Sequence, residues 1–355
     1  MSGDSFLRFF PVPRYLRFPA VGVDISDGSV KFIELIESSG SVNTGRFGRR
    51  FFSEGTLIEV LSSIQREFNF DLVNVSAPEE ESYFIRIRLP VLKTEDIRDA
   101  IELQIEGYVP YSAKEVEFDY QVLKNGPKKD GHVDVNVAVL PKKIVNKYVS
   151  LLSQSGLRLM SLMIEAEATS RAAVPWGDKN VSMIVNIGRV NTILSIVANG
   201  VVWFSYTFGL GGNSLTKRLC ERYSLSGAEA ERLKNESGLL GSTSDGQNAS
   251  ECLLPMFAGV KDEMEKHRRY WSEHRKGFLM AQDLGDINRV MVCGSQAVIP
   301  GLIDYLSSAL KMEVALVNPW VNLFDFDQYV PPINRGDSLE YTTAIGLALG
   351  SLFNL

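Results

Sequence analysis

Two short polar turns carry the most legible chemistry in this chain. The first, Ser26-Asp27-Gly28, separates the apolar runs 21–23 and 30–35. The second, around Gly188, separates 183–185 from 192–198. Each unit is a strand, a Gly-containing polar turn and a strand, so the chain holds an internal pseudo-repeat with insertions between its halves. A phosphate caught between two such turns meets converging backbone N–H groups and small side chains. Metal and disulfide chemistry have less support. His132, His267 and His274 are too scattered for a His-rich site. Cys220, Cys252 and Cys293 match neither a disulfide framework nor zinc spacing, which points to a reducing cytosol.

The elements that position the turns follow from periodicity. Leu57, Ile58, Leu61, Ile64 and Phe68 recur at helical spacing, and 72–77 is a short apolar run of buried-strand type. Residues 51–52 suggest one more strand. Residues 83–89 alternate, with Phe84, Arg86 and Arg88 on one face and Ile85, Ile87 and Leu89 on the other. Thr94 reads as the N-cap of a helix carrying Ile97, Ile101 and Ile105, ended by Pro110. Residues 117–123 and 133–140 read as a hairpin about the turn-rich 124–127 segment. A helix over 142–155 closes on Gly156. The block 93–160 therefore reads as a small inserted subdomain.

The second half opens with strands over 183–185, 192–198 and 201–208, the last two joined by an Asn199-Gly200 hairpin turn. Gly211-Gly212 leads into a helix from Ser214, and Ser226 caps the next. Residues 237–250 are rich in Gly and Ser, and a charged helix covers 255–274. A strand over 290–293, a helix over 300–310, a strand over 314–317 and a small-residue helix over 342–352 complete the chain.

With 355 residues, 45% hydrophobic and 23% charged, the composition is that of an ordinary globular protein of about two domains. A net charge of -6 disfavours a nucleic-acid clamp. No run reaches the roughly 18 apolar residues of a membrane span, and Pro11, Pro13 and Pro19 break the N-terminus, which has no signal-peptide core. A cytoplasmic location is expected. In residues 1–19, Phe6, Phe9, Phe10, Tyr15 and Phe18 alternate with Arg8, Arg14 and Arg17. This segment reads as an extended arm on its own domain, with a membrane-resting arm as the alternative. Taken singly, Gly28, Gly188 and Gly294 read as turn glycines, Glu229, Glu231 and Lys234 as a solvated helix face, and Phe118 and Tyr120 as hairpin core.

The order of the motifs changes that reading. Residues 22–31 (GVDISDGSVK) resemble the first phosphate motif of the actin-like ATPases, GIDIGSSSVK in the pilus branch. Residues 185–192 (VNIGRVNT) are similar to VDIGAxxT, and 293–301 (CGSQAVIPG) to the adenosine motif. Residues 211–216 with 228–234 resemble the GGxxLT…AExLK stretch shared by the FtsA and PilM families. Tyr108-Val109-Pro110-Tyr111 and 115–123 (EVEFDYQVL) resemble the YIPF…EEVxxDYQVL signature of the PilM family, over a likeness that covers about 20–352.

The resemblance implies an α/β fold of the actin/Hsp70-like two-lobed type with an inserted α+β subdomain. First-lobe residues 20–92 would be completed by 161–178 and 336–355, with 93–160 as the insertion. Residues 179–213 and 287–335 would form the second lobe, capped by 214–286. It also implies ATP and Mg²⁺ as cofactors. Asp24 would order water on Mg²⁺, with Asn186 beside it. Ser26, Gly28, Ser29 and Lys31 would hold one phosphate, and Gly188, Thr192, Gly211 and Gly212 would face the terminal one. Gly294 and Ser295 would pass the adenosine, with Glu231 and Lys234 on the ribose. Ser295 departs from the family's Gly. Glu165 would orient an attacking water. Asn186 stands where related ATPases carry a carboxylate, so hydrolysis is expected to be slow or absent.

By the same resemblance, the protein would be a cytoplasmic scaffold of the type IV pilus machinery. It would hold the N-terminal tail of a PilN-like inner-membrane protein in a groove at Tyr108, Phe118, Tyr120 and Val122. Motor and platform proteins are further expected partners, and membrane contact would run through partners alone. The alternatives are an FtsA-like division adaptor, a nucleotide-free pseudo-ATPase scaffold and a sugar kinase. FtsA proteins carry a C-terminal membrane helix after their last motif. The stop at Leu355 and the absence of a sugar-site signature favour the pilus reading.

Overall fold

Two five-stranded sheets repeat one topology. The computed structural model describes residues 20–38, 41–123, 131–241, 248–275 and 284–353. The N-terminal arm, the turn segment 124–127 and the middle of the Gly/Ser-rich stretch lie outside the described residues.

In chain order the structure opens with β1 (Ala20–Ser26), β2 (Ser29–Ser38), β3 (Ser41–Phe51), α1 (Leu57–Phe68) and β4 (Leu72–Ala77). Next come β5 (Tyr83–Pro90), α2 (Thr94–Glu102), β6 (Val116–Leu123), β7 (His132–Pro141), α3 (Lys142–Gln154), β8 (Arg158–Ile164) and α4 (Glu165–Ala173). The second half holds β9 (Val181–Ile187), β10 (Thr192–Ala198), β11 (Val201–Phe208), α5 (Gly212–Tyr223), α6 (Gly227–Ser237) and α7 (Ala249–His274). It ends with β12 (Arg289–Cys293), α8 (Leu302–Leu310), β13 (Glu313–Leu316), α9 (Arg335–Ser338) and α10 (Thr342–Phe353).

The sheets run β3-β2-β1-β4-β8 and β11-β10-β9-β12-β13. In each, the first three strands are antiparallel and the last two join in parallel. β1 and β9 are central and buried on both faces, which explains their near-continuous apolar runs. Helices α4 and α10 cross at Gly346, where a Cβ would sit 1.7 Å from the Ala168 carbonyl oxygen. Next to this crossing the Thr169 and Thr343 hydroxyls share a buried 2.9 Å hydrogen bond.

Several boundaries differ from the sequence reading. β3 runs eleven residues, not two. It is an edge strand with no fully buried residue, so it carries no apolar alternation to read. α7 starts at Ala249 rather than Pro255, capped by the Asn248 side chain, and buried Cys252, Leu253 and Phe257 offset the hydrogen bond Pro255 cannot make. The helix after the second β-unit begins at Gly212, and α2 includes Thr94, with Lys93 at its cap. Asn199 (φ 53°) and Gly200 (φ 75°) form the expected hairpin turn.

The third sheet, β5-β7-β6, draws its first strand from N-terminal to the expected boundary at 93. Ile85, Ile87 and Leu89 pack with Ile97, Ile101, Val135 and Val137 in a separate core, which fixes β5 there. α3, in turn, packs Ile144, Tyr148 and Leu152 into the first-lobe core with Val73 and Val75. The opposite face of β5 meets the second lobe. The Arg86 guanidinium lies 4.2 Å over the Trp203 ring and donates to the Val202 carbonyl at 2.9 Å.

Candidate functional site

Both central strands end at one cleft of about 220 Å³ between the lobes. Its walls include Asp24, Ser26, Ser29, Lys31, Glu165, Asn186, Gly188, Gly294 and Ser295, all singled out from the sequence.

On the first-lobe wall, Asp24 and Lys31 are direct cross-strand partners in the β1–β2 hairpin. Opposed side chains on one face lie close enough to pair. Lys31 Nζ donates to Asp24 Oδ2 at 2.7 Å and to Ser26 Oγ at 3.0 Å. Asp24 also accepts from Ser26 Oγ at 2.8 Å and from Ser76 Oγ at 2.9 Å. Both charged groups are buried, at 2% and 7% exposure. Burial pushes the Lys31 ammonium down, but the Asp24 charge and hydrogen bond outweigh it and the net shift is upward. Lys31 therefore stays a cation.

On the second-lobe wall, Asn186 Nδ2 donates to Glu165 Oε1 at 3.1 Å. Burial, then the Asp24 charge, push the Glu165 carboxyl well above the usual range against the pull of Lys31. The turn after Asn186 closes with a Gly188 N–H to Asn191 carbonyl bond of 2.9 Å. Its next two N–H groups, Arg189 and Val190, donate to Asp27 Oδ2 at 2.7 Å and Oδ1 at 3.1 Å. Asp27 sits in the first turn at φ 54°, so these bonds join the two turns directly. Asn191 adds a second bridge, donating to Glu80 Oε1 at 3.0 Å.

The glycines serve backbone packing. A Cβ on Gly188 would lie 2.1 Å from Asp27 Oδ2. A Cβ on Gly211 would lie 2.7 Å from the Arg189 carbonyl oxygen. The N–H groups of Gly212 and Asn213 bond the Gly188 and Arg189 carbonyls at 3.0 and 2.7 Å. The glycine pair thus braces the second turn from behind rather than facing the cleft. Gly294, at φ 91°, lets its strand end pass Asn186, whose Oδ1 would be 2.4 Å from a Cβ there.

Gly28, Thr192, Glu231 and Lys234 also lie off the cleft wall. Thr192 is fully buried and donates to the Leu210 carbonyl at 2.6 Å. Lys234 is fully buried and donates to both Glu231 oxygens at 2.8 Å and to Thr216 Oγ1 at 3.1 Å. Burial lowers its pKa more than Glu231 restores it. The (i, i+3) spacing that suggested a ribose clasp produces a closed pair instead.

Of the expected groove residues, Phe118, Tyr120 and Val122 lie on β6, the edge strand of the third sheet, half-buried against its core. Arg98 covers the Phe118 ring at 4.5 Å. Tyr108 is 51% exposed, and nearby in the chain Leu103 is 86% exposed.

Two cleft residues, Ser76 and Asp27, and the buried Glu79 were not singled out for a side-chain role from the sequence. Ser76 had a readable signal, a polar residue at alternate spacing from Asn74 in an otherwise apolar strand. Glu79 is buried beside the Ala166 N–H, which it accepts at 3.1 Å. Asp27 had a signal in its motif, where GIDIGSSSVK has Ser and this chain has Asp.

Phosphate and magnesium fit these residues. Lys31 supplies a buried cation, and successive N–H groups at 189 and 190 already hold an anion, the Asp27 carboxylate. Among the described residues no three His, Cys, Asp or Glu side chains converge as a metal cage. Asp24 would suit Mg²⁺ held mainly through water, since that ion usually keeps several waters.

The family model of the type IV pilus assembly protein PilM matches residues 22–352. The chain belongs to the PilM family. Its fold agrees with a solved PilM-PilN type IV pilus biogenesis complex at a TM-score of 0.72 and 20% identity, covering 95% of this chain and 99% of that one. The ethanolamine utilization protein EutJ from Carboxydothermus hydrogenoformans gives 0.52 at 15% identity, over 96% and 91% of the two chains. Spiroplasma citri MreB5 bound to ADP gives 0.54 at 11%, over 94% and 95%. The cell division protein FtsA of Bacillus subtilis is 21% identical over 192 residues, half of this chain, and the match spans 43% of the FtsA length. This PilM-family chain therefore has the expected actin-like two-lobed α/β fold. No helix among its described residues is long and apolar enough to cross a membrane.

Proposed function

We propose that this PilM-family protein is a nucleotide-binding scaffold of type IV pilus assembly, working at the cytoplasmic face of the inner membrane. The observation that carries the reading is the facing of a buried cation, Lys31, and an anion-holding N–H pair, Arg189 and Val190, across one cleft. In this reading Asp24 and Lys31 serve phosphate and Mg²⁺, and Ser295 lines the nucleoside side. When bound, the nucleotide would supply a polyphosphate that ties the two lobes together. Hydrolysis would be slow, because Asn186 offers an amide where a second charge would help, and transfer depends on such electrostatics.

The partner would be the N-terminal tail of a PilN-like inner-membrane protein, the class of partner in the related complex. An extended peptide pairing with edge strand β6, with apolar anchors near Tyr108, fits the chemistry of strand addition.

Titration of the full chain with Mg-ADP and a fluorescent Mg-ATP analogue tests the nucleotide half. Binding of neither at millimolar concentration would overturn it. Rapid phosphate release that is lost in Glu165→Gln would overturn slow hydrolysis. For the partner half, a PilN-like tail peptide should co-purify with the wild type and much less with Tyr108→Ala. Deleting residues 93–160 is unsuitable, since it would strip α3 from the first-lobe core. Undiminished capture by both Tyr108→Ala and Phe118→Ala would remove this groove from consideration.

A further inference from the structure

The Asp27 carboxylate lies where a polyphosphate entering the cleft would seek its donors. It takes the Arg189 N–H on one oxygen and the Val190 N–H on the other, at 2.7 and 3.1 Å. Successive backbone N–H groups of this kind form an anion site with no preference between carboxylate and phosphate beyond charge and shape. Gly188 makes the contact feasible, since any Cβ there would strike Asp27 Oδ2. Asp27 itself holds a left-handed backbone, φ 54°, which most side chains avoid and Asp and Asn tolerate. The turn therefore presents its carboxylate across the cleft at some conformational cost. The cleft of about 220 Å³ is also smaller than the roughly 300–1,000 Å³ of typical small-molecule pockets.

We propose that Asp27 is a built-in rival for phosphate at the second turn, a residue that sets how many phosphates the cleft accepts. This rests on the nucleotide reading above. A short polyphosphate can be served by Lys31 and the first turn with the Asp27 bonds intact. A longer one reaches the N–H pair of Arg189 and Val190 only by expelling the carboxylate. The exchange replaces one anion by another at the same two backbone N–H groups. The cost is the pair of charge-assisted hydrogen bonds given up. Nucleoside diphosphates are thereby favoured over triphosphates, and a bound triphosphate takes over from Asp27 the link between the two turns.

The test compares wild type with Asp27→Gly, which removes the carboxylate, and Asp27→Asn, which removes its charge and one of its two accepting oxygens. Both residues accept the left-handed backbone, so the hairpin is preserved. Calorimetric titration with Mg-ADP and Mg-ATP should show Asp27→Gly gaining about tenfold or more in ATP affinity, the worth of bonds to a charged group, with ADP affinity changed much less. Asp27→Asn should fall between. Without nucleotide, hydrogen exchange at the Arg189 and Val190 amides should be faster in Asp27→Gly than in wild type. An unchanged ratio of ATP to ADP affinity across proteins that all bind ADP overturns the proposal alone. Equal amide exchange in wild type and Asp27→Gly also overturns it. If none of the three proteins binds either nucleotide, the nucleotide reading falls and the proposal with it.

Discussion

Asn186 and Glu165 share a hydrogen bond of 3.1 Å that joins the end of the second lobe's central strand to the first residue of α4. The amide is the donor, so Glu165 can accept the bond whether its carboxyl is ionised or protonated. Asn186→Asp would exchange that donor for a second carboxylate at contact distance. Two such groups do not both ionise, so the proton is held more tightly. Carboxyl carbon NMR should show Glu165 titrating at still higher pH in the variant than in wild type. A lower or unchanged titration would contradict this account of the pair.

Glu79 offers a pH signature. Burial raises its pKa from 4.5 to about 7, against the opposing bonds from Ser205 and the Ala166 N–H. The folded chain binds this proton more tightly than the unfolded chain. Its contribution is therefore full below about pH 4.5 and is lost as pH rises through 7, to a total of about 3 kcal/mol. Glu79→Gln should flatten that slope. Urea unfolding of both proteins at pH 5 and pH 8 gives the comparison, and parallel slopes would contradict the assignment.

The pair of Asp24 and Lys31 should show the asymmetry of buried ions. Lys31→Met leaves a buried carboxylate with hydroxyl partners only and should cost about 3–5 kcal/mol. Adding Asp24→Asn to the same chain should return a large part of that loss. Denaturant midpoints of the two single variants and the double variant test the coupling. Additive losses would show the two charges to be independent.

The legible part of this site was the part written in local sequence. Asp24 and Lys31 are seven residues apart on one hairpin, so motif and register alone place them together. The sheets were legible where both faces are buried, as in β1 and β9, and obscure in edge strand β3, which has no buried side to mark. Asp27 finds its partners 162 and 163 residues away, a meeting that only the packing of two lobes creates. Glu231 and Lys234 are the opposite case, a local spacing whose partners find each other. Their spacing is right for reaching outward, but a fully buried lysine needs its counter-charge at hand, and Glu231 is three residues away.

The crossing of α10 on α4 at Gly346 and Ala168 is a contact between main chains with no side chain interposed. Helices touching at one such point resist shear, because sliding drives a carbonyl into the neighbouring turn. The Thr169–Thr343 hydrogen bond beside it also restrains twist about the point of contact. The joint lies at the cleft, where Thr343 of α10 is part of the wall. Arg86 on Trp203 ties the third sheet to the second lobe in a separate contact.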